Sequence, residues 1–225
     1  KLLFGKPLIQ WTIEAGLKAK EIDKVIVTSD DGEILNLAKE MGALIIERPS
    51  ILATDDCQLD DVYLWTVRQA LEWEYFDLNS SELVFLAPTS PFRCATNIDT
   101  AIRFYKTHQR NFGTPVTVIA MYVDQRFHWR RCYSDNPEQF DNPAPSVVPV
   151  FQNPAKRLGR QWTKEWLLTE AGSIYVVDTR QFLLNRHVRF EPHIAYLMPS
   201  ERCVEIDSPL DWELAEILAP RLLGN

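Results

Sequence analysis

The sequence predicts a doubly wound α/β fold with a mostly parallel sheet, and three observations carry that prediction. Short apolar runs (Val25-Ile26-Val27, Leu44-Ile45-Ile46, Leu83-Val84-Phe85-Leu86) alternate with segments of helical period. The runs are apolar on successive residues rather than on every second one, as strands covered on both faces require. The 225 residues, 46% of them hydrophobic, suffice for one sizeable core.

Each element follows from local signals. Residues 7–18 read as a helix with Leu8, Trp11, Ile13 and Leu17 on its apolar stripe, and residues 24–28 as a buried strand. Asp30-Asp31-Gly32-Glu33 reads as a capping box, with Glu at the third helical position, opening a helix to Met41 that Gly42 ends. Residues 43–46 form the second strand. Thr54 or Asp55 is expected to cap a helix reaching about Tyr75. A strand at 83–86, a helix at 96–108 and a strand at 116–121 continue the alternation. Residues 122–168 break it: prolines gather among Asn, Asp and Gln, and Phe127-His128-Trp129-Arg130 alternates aromatic with polar. An antiparallel excursion or extended arm fits this segment better than a helical crossover. Strands are expected again at 173–177, 195–198 and 204–206, and a closing helix at 209–218. The chain thus reads as a single domain, 1–225, with an arm inserted at 122–168.

Composition excludes some roles. A net charge of −7 lacks the basic face that nucleic acid needs. No apolar run approaches a membrane span. Four scattered cysteines without a C-x-x-C pair read as reduced thiols of a cytoplasmic protein, and the four histidines show no metal-ligand spacing.

In an open parallel sheet, ligands gather at the carboxyl ends of the strands. Those ends carry Thr28-Ser29-Asp30-Asp31, Glu47-Arg48-Pro49 and Ala87-Pro88-Thr89-Ser90-Pro91-Phe92-Arg93, a rim of hydroxyls, two arginines and rigid prolines. Arginine beside helix N-termini suits an anion, although the same residues also serve as caps and stiff turns. Near the end of the chain, Glu205, Asp207 and Asp211 fall within seven residues. Ser208-Pro209 with Asp211 reads as a capping box. Alternation puts Cys203, Glu205 and Asp207 on one strand face, either as a solvated edge or as a pair of hard oxygen ligands for Mg²⁺.

Taken in order, Gly5-Lys6-Pro7-Leu8-Ile9, Val27-Thr28-Ser29-Asp30-Asp31, Arg48-Pro49 with Leu52-Ala53-Thr54-Asp55, Pro88 to Arg93, Gly172-Ser173-Ile174-Tyr175 and Glu205-Ile206-Asp207 with Asp211-Trp212 resemble the acylneuraminate cytidylyltransferases across nearly the whole chain. That family comprises the CMP–sialic acid synthetases and their relatives for other nonulosonic acids. The resemblance implies a nucleotide-diphospho-sugar transferase-like fold with an extended dimerisation arm, and a homodimer. It implies CTP and a nonulosonic acid as substrates and Mg²⁺ as cofactor. By resemblance, Asp207 and Glu205 are the catalytic, metal-holding pair and Arg48 lines the nucleotide pocket. Thr89, Ser90, Arg160 and Tyr175 belong to the sugar side.

The chain departs from the family pattern at four places. The resemblance begins after the family's opening strand and its Gly/Arg/Lys-rich phosphate loop. The sheet is therefore expected to lack a strand between residues 25–28 and 83–86, and residues 1–225 alone are expected not to turn over CTP. Ala87 stands where Gln is common, Ala171 where Asn is common, and Glu205 where Asp is common. Two of these concern the sugar side and leave the sugar acid open. Two alternatives accompany this reading: a non-catalytic binding or assembly module of the same fold, and a nucleotidyltransferase for another base or a sugar phosphate.

Overall fold

Strands and helices alternate from the N-terminus as the apolar runs predict. The computed structural model describes residues 1–78, 82–123, 129–131, 147–149 and 168–224. A hairpin of β1 (Leu2–Leu3) and β2 (Lys6–Pro7), turned at Gly5 with φ +80°, leads into helix α1 (Leu8–Lys18). Strand β3 (Ile26–Ser29), helix α2 (Gly32–Glu40) and strand β4 (Leu44–Glu47) follow. Helix α3 (Leu59–Glu72), strand β5 (Glu82–Leu86), helix α4 (Ala95–Phe112) and strand β6 (Thr117–Val123) complete the first half.

The chain divides into two compact units, residues Lys1–Tyr122 with Glu170–Asn225, and Val123–Thr169. Within the second, β7 (Trp129–Arg131) and β8 (Val147–Pro149) pair antiparallel, Trp129 opposite Pro149. The long strand β9 (Leu168–Asp178), helix α5 (Thr179–Asn185), strand β10 (His193–Leu197) and helix α6 (Pro209–Leu223) close the fold.

The sheet is in two parts. Strands β3 and β4 pair parallel, and β10-β6-β9-β5 form a four-stranded sheet in which β6 and β10 run parallel while β9 runs antiparallel to β5. Strands β3 and β5 do not pair with each other; residues of both line one cavity between them. This is where the sequence leads one to expect a gap in the sheet.

Helices cover both faces. On one side α1 and α4 pack through Ala15, Ile98, Ala101 and Ile102 onto Val118, Ala120, Ile174 and Val176. On the other, Leu64 and Val67 of α3 and Phe182 of α5 meet Ile119, Tyr175 and Val177. Both apolar faces of β9 are therefore buried, which is why its sequence reads as a continuous apolar run. Burying a side chain such as Ile174 contributes about 1.5–3 kcal/mol.

Four local readings need correction. The N-cap of α2 is Asp31, whose Oδ1 accepts from the N–H groups of Glu33 and Ile34 at 2.7 and 3.3 Å. Glu33 is thus the second helical residue, and no capping box forms there. Helix α3 begins three to four residues later than expected, at Leu59, because Thr54 is spent on a turn whose carbonyl accepts from Cys57 N–H. Its cap, Gln58, makes no side-chain bond, and it ends at Glu72, before Glu74 turns left-handed (φ +55°). Residues 204–206 form no strand and join no sheet. Of their backbone, Ile206 N–H donates to Thr89 O at 2.9 Å. Short helix α5 carried no signal strong enough to be expected: its cap is Asp178, a residue that reads as strand.

Candidate active site

The cavity between β3 and β5 measures ≈1760 Å³. That is more than the roughly 300–1,000 Å³ one small ligand needs. Its apolar walls include Ile9 and Ile13 of α1 and Val62 and Val67 of α3, and polar groups from strand ends, helices and loops line it as well.

One polar end is formed by Thr28, Ser29 and Arg48. The N–H of Arg48 donates to Ser29 O at 2.8 Å, extending the β3–β4 ladder by one step and setting the arginine beside Asp30. Its Nη2 meets Asp30 Oδ1 at 3.1 Å, and this hydrogen bond draws the Asp30 carboxyl below its ordinary range. Arg48 Nε and Thr28 Oγ1 are buried and have no hydrogen-bond partner among the described residues. Buried orphan polar atoms are uncommon and mark a place where a polar ligand or water completes the set.

The other polar end is formed by Thr89, Glu170, Gly172, Tyr175, Arg189 and Glu205. The bond from Ile206 N–H to Thr89 O holds residues 204–206 against the turn after β5, with Val204 and Ile206 packed toward Trp212 and Glu205 turned to the cavity. Thr89 Oγ1 donates to Glu205 Oε1 at 3.5 Å. Burial, and then the charge of Asp207, push the Glu205 carboxyl above its ordinary range. No ion pair to either acid forms among the described residues. Gly172 makes room for this carboxylate. Its φ is +60°, and a Cβ there would lie 2.5 Å from both Glu205 oxygens.

Gly172 also breaks the alternation of β9. Ala171 and Ile174, three residues apart, share one core, while Tyr175 and Val177 face the other. A left-handed glycine acts here as a strand bulge does. It returns Glu170 to the side of Tyr175, whose Oη donates to Glu170 Oε1. Burial holds the Tyr175 phenol above its ordinary pKa, and Tyr63, stacked on Phe85 at 4.3 Å, is pushed up to about 12 by burial. Both are neutral phenols at physiological pH.

Glu205, Thr89, Tyr175 and Arg48 therefore line one cavity. Asp207 is exposed at its edge, close enough to Glu205 to raise its pKa. Asp211 is the helix cap that its spacing predicts: its Oδ2 accepts from the N–H groups of Ser208 and Asp207 at 2.8 and 3.2 Å. Ser90 is fully buried, its Oγ without a partner among the described residues, so Thr89 supplies the hydroxyl on this wall. Arg93 is no rim cation. It is 2% exposed, and its Nη1 donates to the carbonyls of Ala87 and Ser90, bracing the turn that presents Thr89. Burial lowers its pKa to about 9, which still leaves it charged at neutral pH. Arg160 lies outside the described residues. Sequence reasoning missed Glu170 and Arg189, because strict period two places Glu170 opposite Tyr175 and Arg189 sits in an irregular loop.

Two carboxylates with no paired cation form a hard-oxygen donor set of the kind Mg²⁺ takes when it leaves its other positions to phosphates. No group of three or more His, Cys, Asp or Glu placed to hold a metal occurs among the described residues. No helix of the described residues is long and apolar enough to cross a membrane.

Helices on both faces of a split sheet, with a cavity between its two parts, describe an α/β fold of the doubly wound kind. The sequence profile of the cytidylyltransferase family matches residues 1–119, and the chain belongs to that family. It is 29% identical to an N-acylneuraminate cytidylyltransferase of Escherichia coli O18:K1:H7 over 95% of this chain and 46% of that protein. It is 28% identical to the CMP-N,N'-diacetyllegionaminic acid synthase of Legionella pneumophila over 97% of this chain and 87% of that one. The chain thus spans about half the length of the N-acylneuraminate cytidylyltransferases it matches. The fold is that of the 4-diphosphocytidyl-2C-methyl-D-erythritol synthase of Anaerococcus prevotii (TM-score 0.64, 12% identity, 98% of this chain and 88% of that one). A CMP:2-keto-3-deoxy-manno-octonic acid synthetase solved with CTP shares it (TM-score 0.55, 12% identity, 98% of this chain and 90% of that one).

Proposed function

We propose that the protein transfers CMP from CTP to a 2-keto-3-deoxy sugar acid of the nonulosonic class, releasing pyrophosphate, and that it uses Mg²⁺. The observation that carries this is the unneutralised Glu205 carboxylate, held beside Thr89 in the cavity that Arg48 also lines, with the exposed Asp207 near enough to raise its pKa. The relatives' names supply the substrate class: one acts on N-acylneuraminate and another on diacetyllegionaminate.

In this reading the nucleotide enters at the Arg48 end, where the buried Nε and the Thr28 hydroxyl await acceptors and donors. The acceptor sugar lies against Thr89 and Tyr175. Its anomeric hydroxyl oxygen attacks the α-phosphorus of CTP and gives up its proton to solvent, the bond from that phosphorus to the bridging oxygen breaks, and the electron pair leaves with pyrophosphate. Glu205 and Asp207 would hold the magnesium ion, which would supply Lewis-acid stabilisation of the developing charge. Arg93 acts at one remove, by fixing the turn. The segment 122–168 serves as a dimer arm in this proposal and carries Arg160 to the sugar pocket of the partner subunit.

The test is pyrophosphate release by the full-length protein from CTP with Mg²⁺ and a panel of nonulosonic acids. Release that depends on both the acid and the metal supports the reading. No release with any acid, in a protein that binds CTP, favours the non-catalytic module. Sedimentation as a monomer at micromolar concentration would remove the dimer arm.

A further inference from the structure

We propose that Arg189 receives the carboxylate of the acceptor acid, and that Glu170 occupies Arg189 as a stand-in carboxylate until the acid arrives. The inference rests on the cytidylyl-transfer reading of this cavity.

Arg189 lies in the loop between α5 and β10 and lines the same polar end as Thr89, Tyr175 and Glu205. Its Nε donates to both oxygens of Glu170, at 3.1 and 3.4 Å, and its Nη2 lies 3.0 Å from Glu170 Oε1. The same Nη2 donates to Tyr175 Oη at 3.3 Å, with the guanidinium carbon 5.4 Å from the Tyr175 ring centre. Nη1 has no hydrogen-bond partner among the described residues. A guanidinium held by one edge and open at another is suited to a planar carboxylate, which it grips through two parallel N–H groups.

Charge and exposure favour exchange. Glu170, Glu205 and the nearby Asp207 are acids, and Arg189 is the cation lining this end among the described residues. An acidic ligand entering here meets repulsion from these acids, and Arg189 is the exposed cation it can reach among the described residues lining this end. The Arg189 and Glu170 side chains are 52% and 34% exposed. An ion pair so open to water contributes only about 0–1 kcal/mol, so replacing one carboxylate by another has little cost. Tyr175 stays neutral and donates to Glu170, which gives Glu170 a partner once the arginine turns away.

The experiment measures binding of N-acetylneuraminate and of its methyl ester, which lacks the charge, to the full-length protein by calorimetry. Arg189→Met should weaken the acid about tenfold or more, the scale of a lost charged hydrogen bond, and leave the ester unchanged. Arg189→Lys should recover part of the loss. Glu170→Gln, which removes the competing carboxylate, should tighten the acid severalfold. Unaltered binding of the acid by Arg189→Met overturns the inference. So does an equal loss for acid and ester accompanied by a lower Tm, which would make the pair a mere tie between β9 and the loop. Wild-type binding of the acid without pyrophosphate release would sink the transfer reading instead, leaving the Arg189 comparison standing.

Discussion

At one end of the cavity Arg48 meets Asp30 at 3.1 Å, and the neighbouring acid, Asp31, is engaged in capping α2. At the other end Arg189 meets Glu170 at 3.0 Å, but Glu205 and Asp207 stand beside that pair with no cation among the described residues. Both ends have the same kinds of residue. What differs is the balance: the first lacks partners only for neutral or cationic donors, and the second holds surplus negative charge against burial. In the proposed reading, this surplus, kept in place by a glycine, a threonine and a backbone hydrogen bond, is where the metal would act.

The largest test of that contrast is Gly172→Ala. A methyl group 2.5 Å from both Glu205 oxygens must displace the carboxylate, and the left-handed φ adds about 1–2 kcal/mol of strain. Turnover should fall by about 10²-fold, the scale of one lost transition-state contact, while the CTP KM changes little. A variant with full activity would show that Glu205 need not sit where it does. Arg48→Ala probes the opposite end. It should raise the CTP KM about ten- to a hundredfold, the worth of a hydrogen bond to a charged group, with a smaller effect on the acceptor KM. A change confined to the acceptor would exchange the two ends.

Smaller effects separate the structural acid from the functional one. Ser208→Ala removes half of the capping box of α6 and should cost about 1 kcal/mol in chemical denaturation, with activity retained. Asp211→Asn and Glu205→Gln should then move Tm in opposite directions at neutral pH without metal. The hydrogen bond from Ser208 depresses the Asp211 pKa, so its stabilisation is present above the ordinary Asp range and is lost as pH falls through the depressed value. Asp211→Asn should lower Tm, and the deficit should fade in acid. The Glu205 pKa is raised, so its contribution is present at low pH and is lost as pH rises through the raised value. Glu205→Gln should therefore raise the metal-free Tm. Equal signs for the two variants would erase the distinction.

The chain order of elements was legible because both faces of the sheet are covered, and continuous apolar runs such as Ile174–Val177 then have one reading. The gap between β3 and β5 was expected from the family resemblance rather than from residue patterns. Two kinds of feature were not legible. Helix starts slipped wherever several cap-forming residues stood together, as at Asp30-Asp31 and Thr54-Asp55, because only tertiary contacts choose among them. Among residues lining the candidate cavity, Thr89 was legible as a strand-end residue, Tyr175 through its motif and Glu205 through its acidic run, although the strand expected around Glu205 does not form. Glu170 was hidden by the bulge at Gly172, and the burial of Ser90 and Arg93 by a turn whose prolines hold it inward. A sequence shows that a turn is stiff, but not which of its side chains faces the cavity.

The most direct measurement compares Asp207→Ala with Asp211→Ala in the full-length protein, by Mg²⁺-dependent turnover and thermal melting on the same samples. The account predicts that Asp207→Ala abolishes metal-dependent turnover at nearly unchanged Tm, and that Asp211→Ala lowers Tm while turnover survives. The reverse ranking would contradict it, and would move the metal from the Glu205–Asp207 pair to the head of α6.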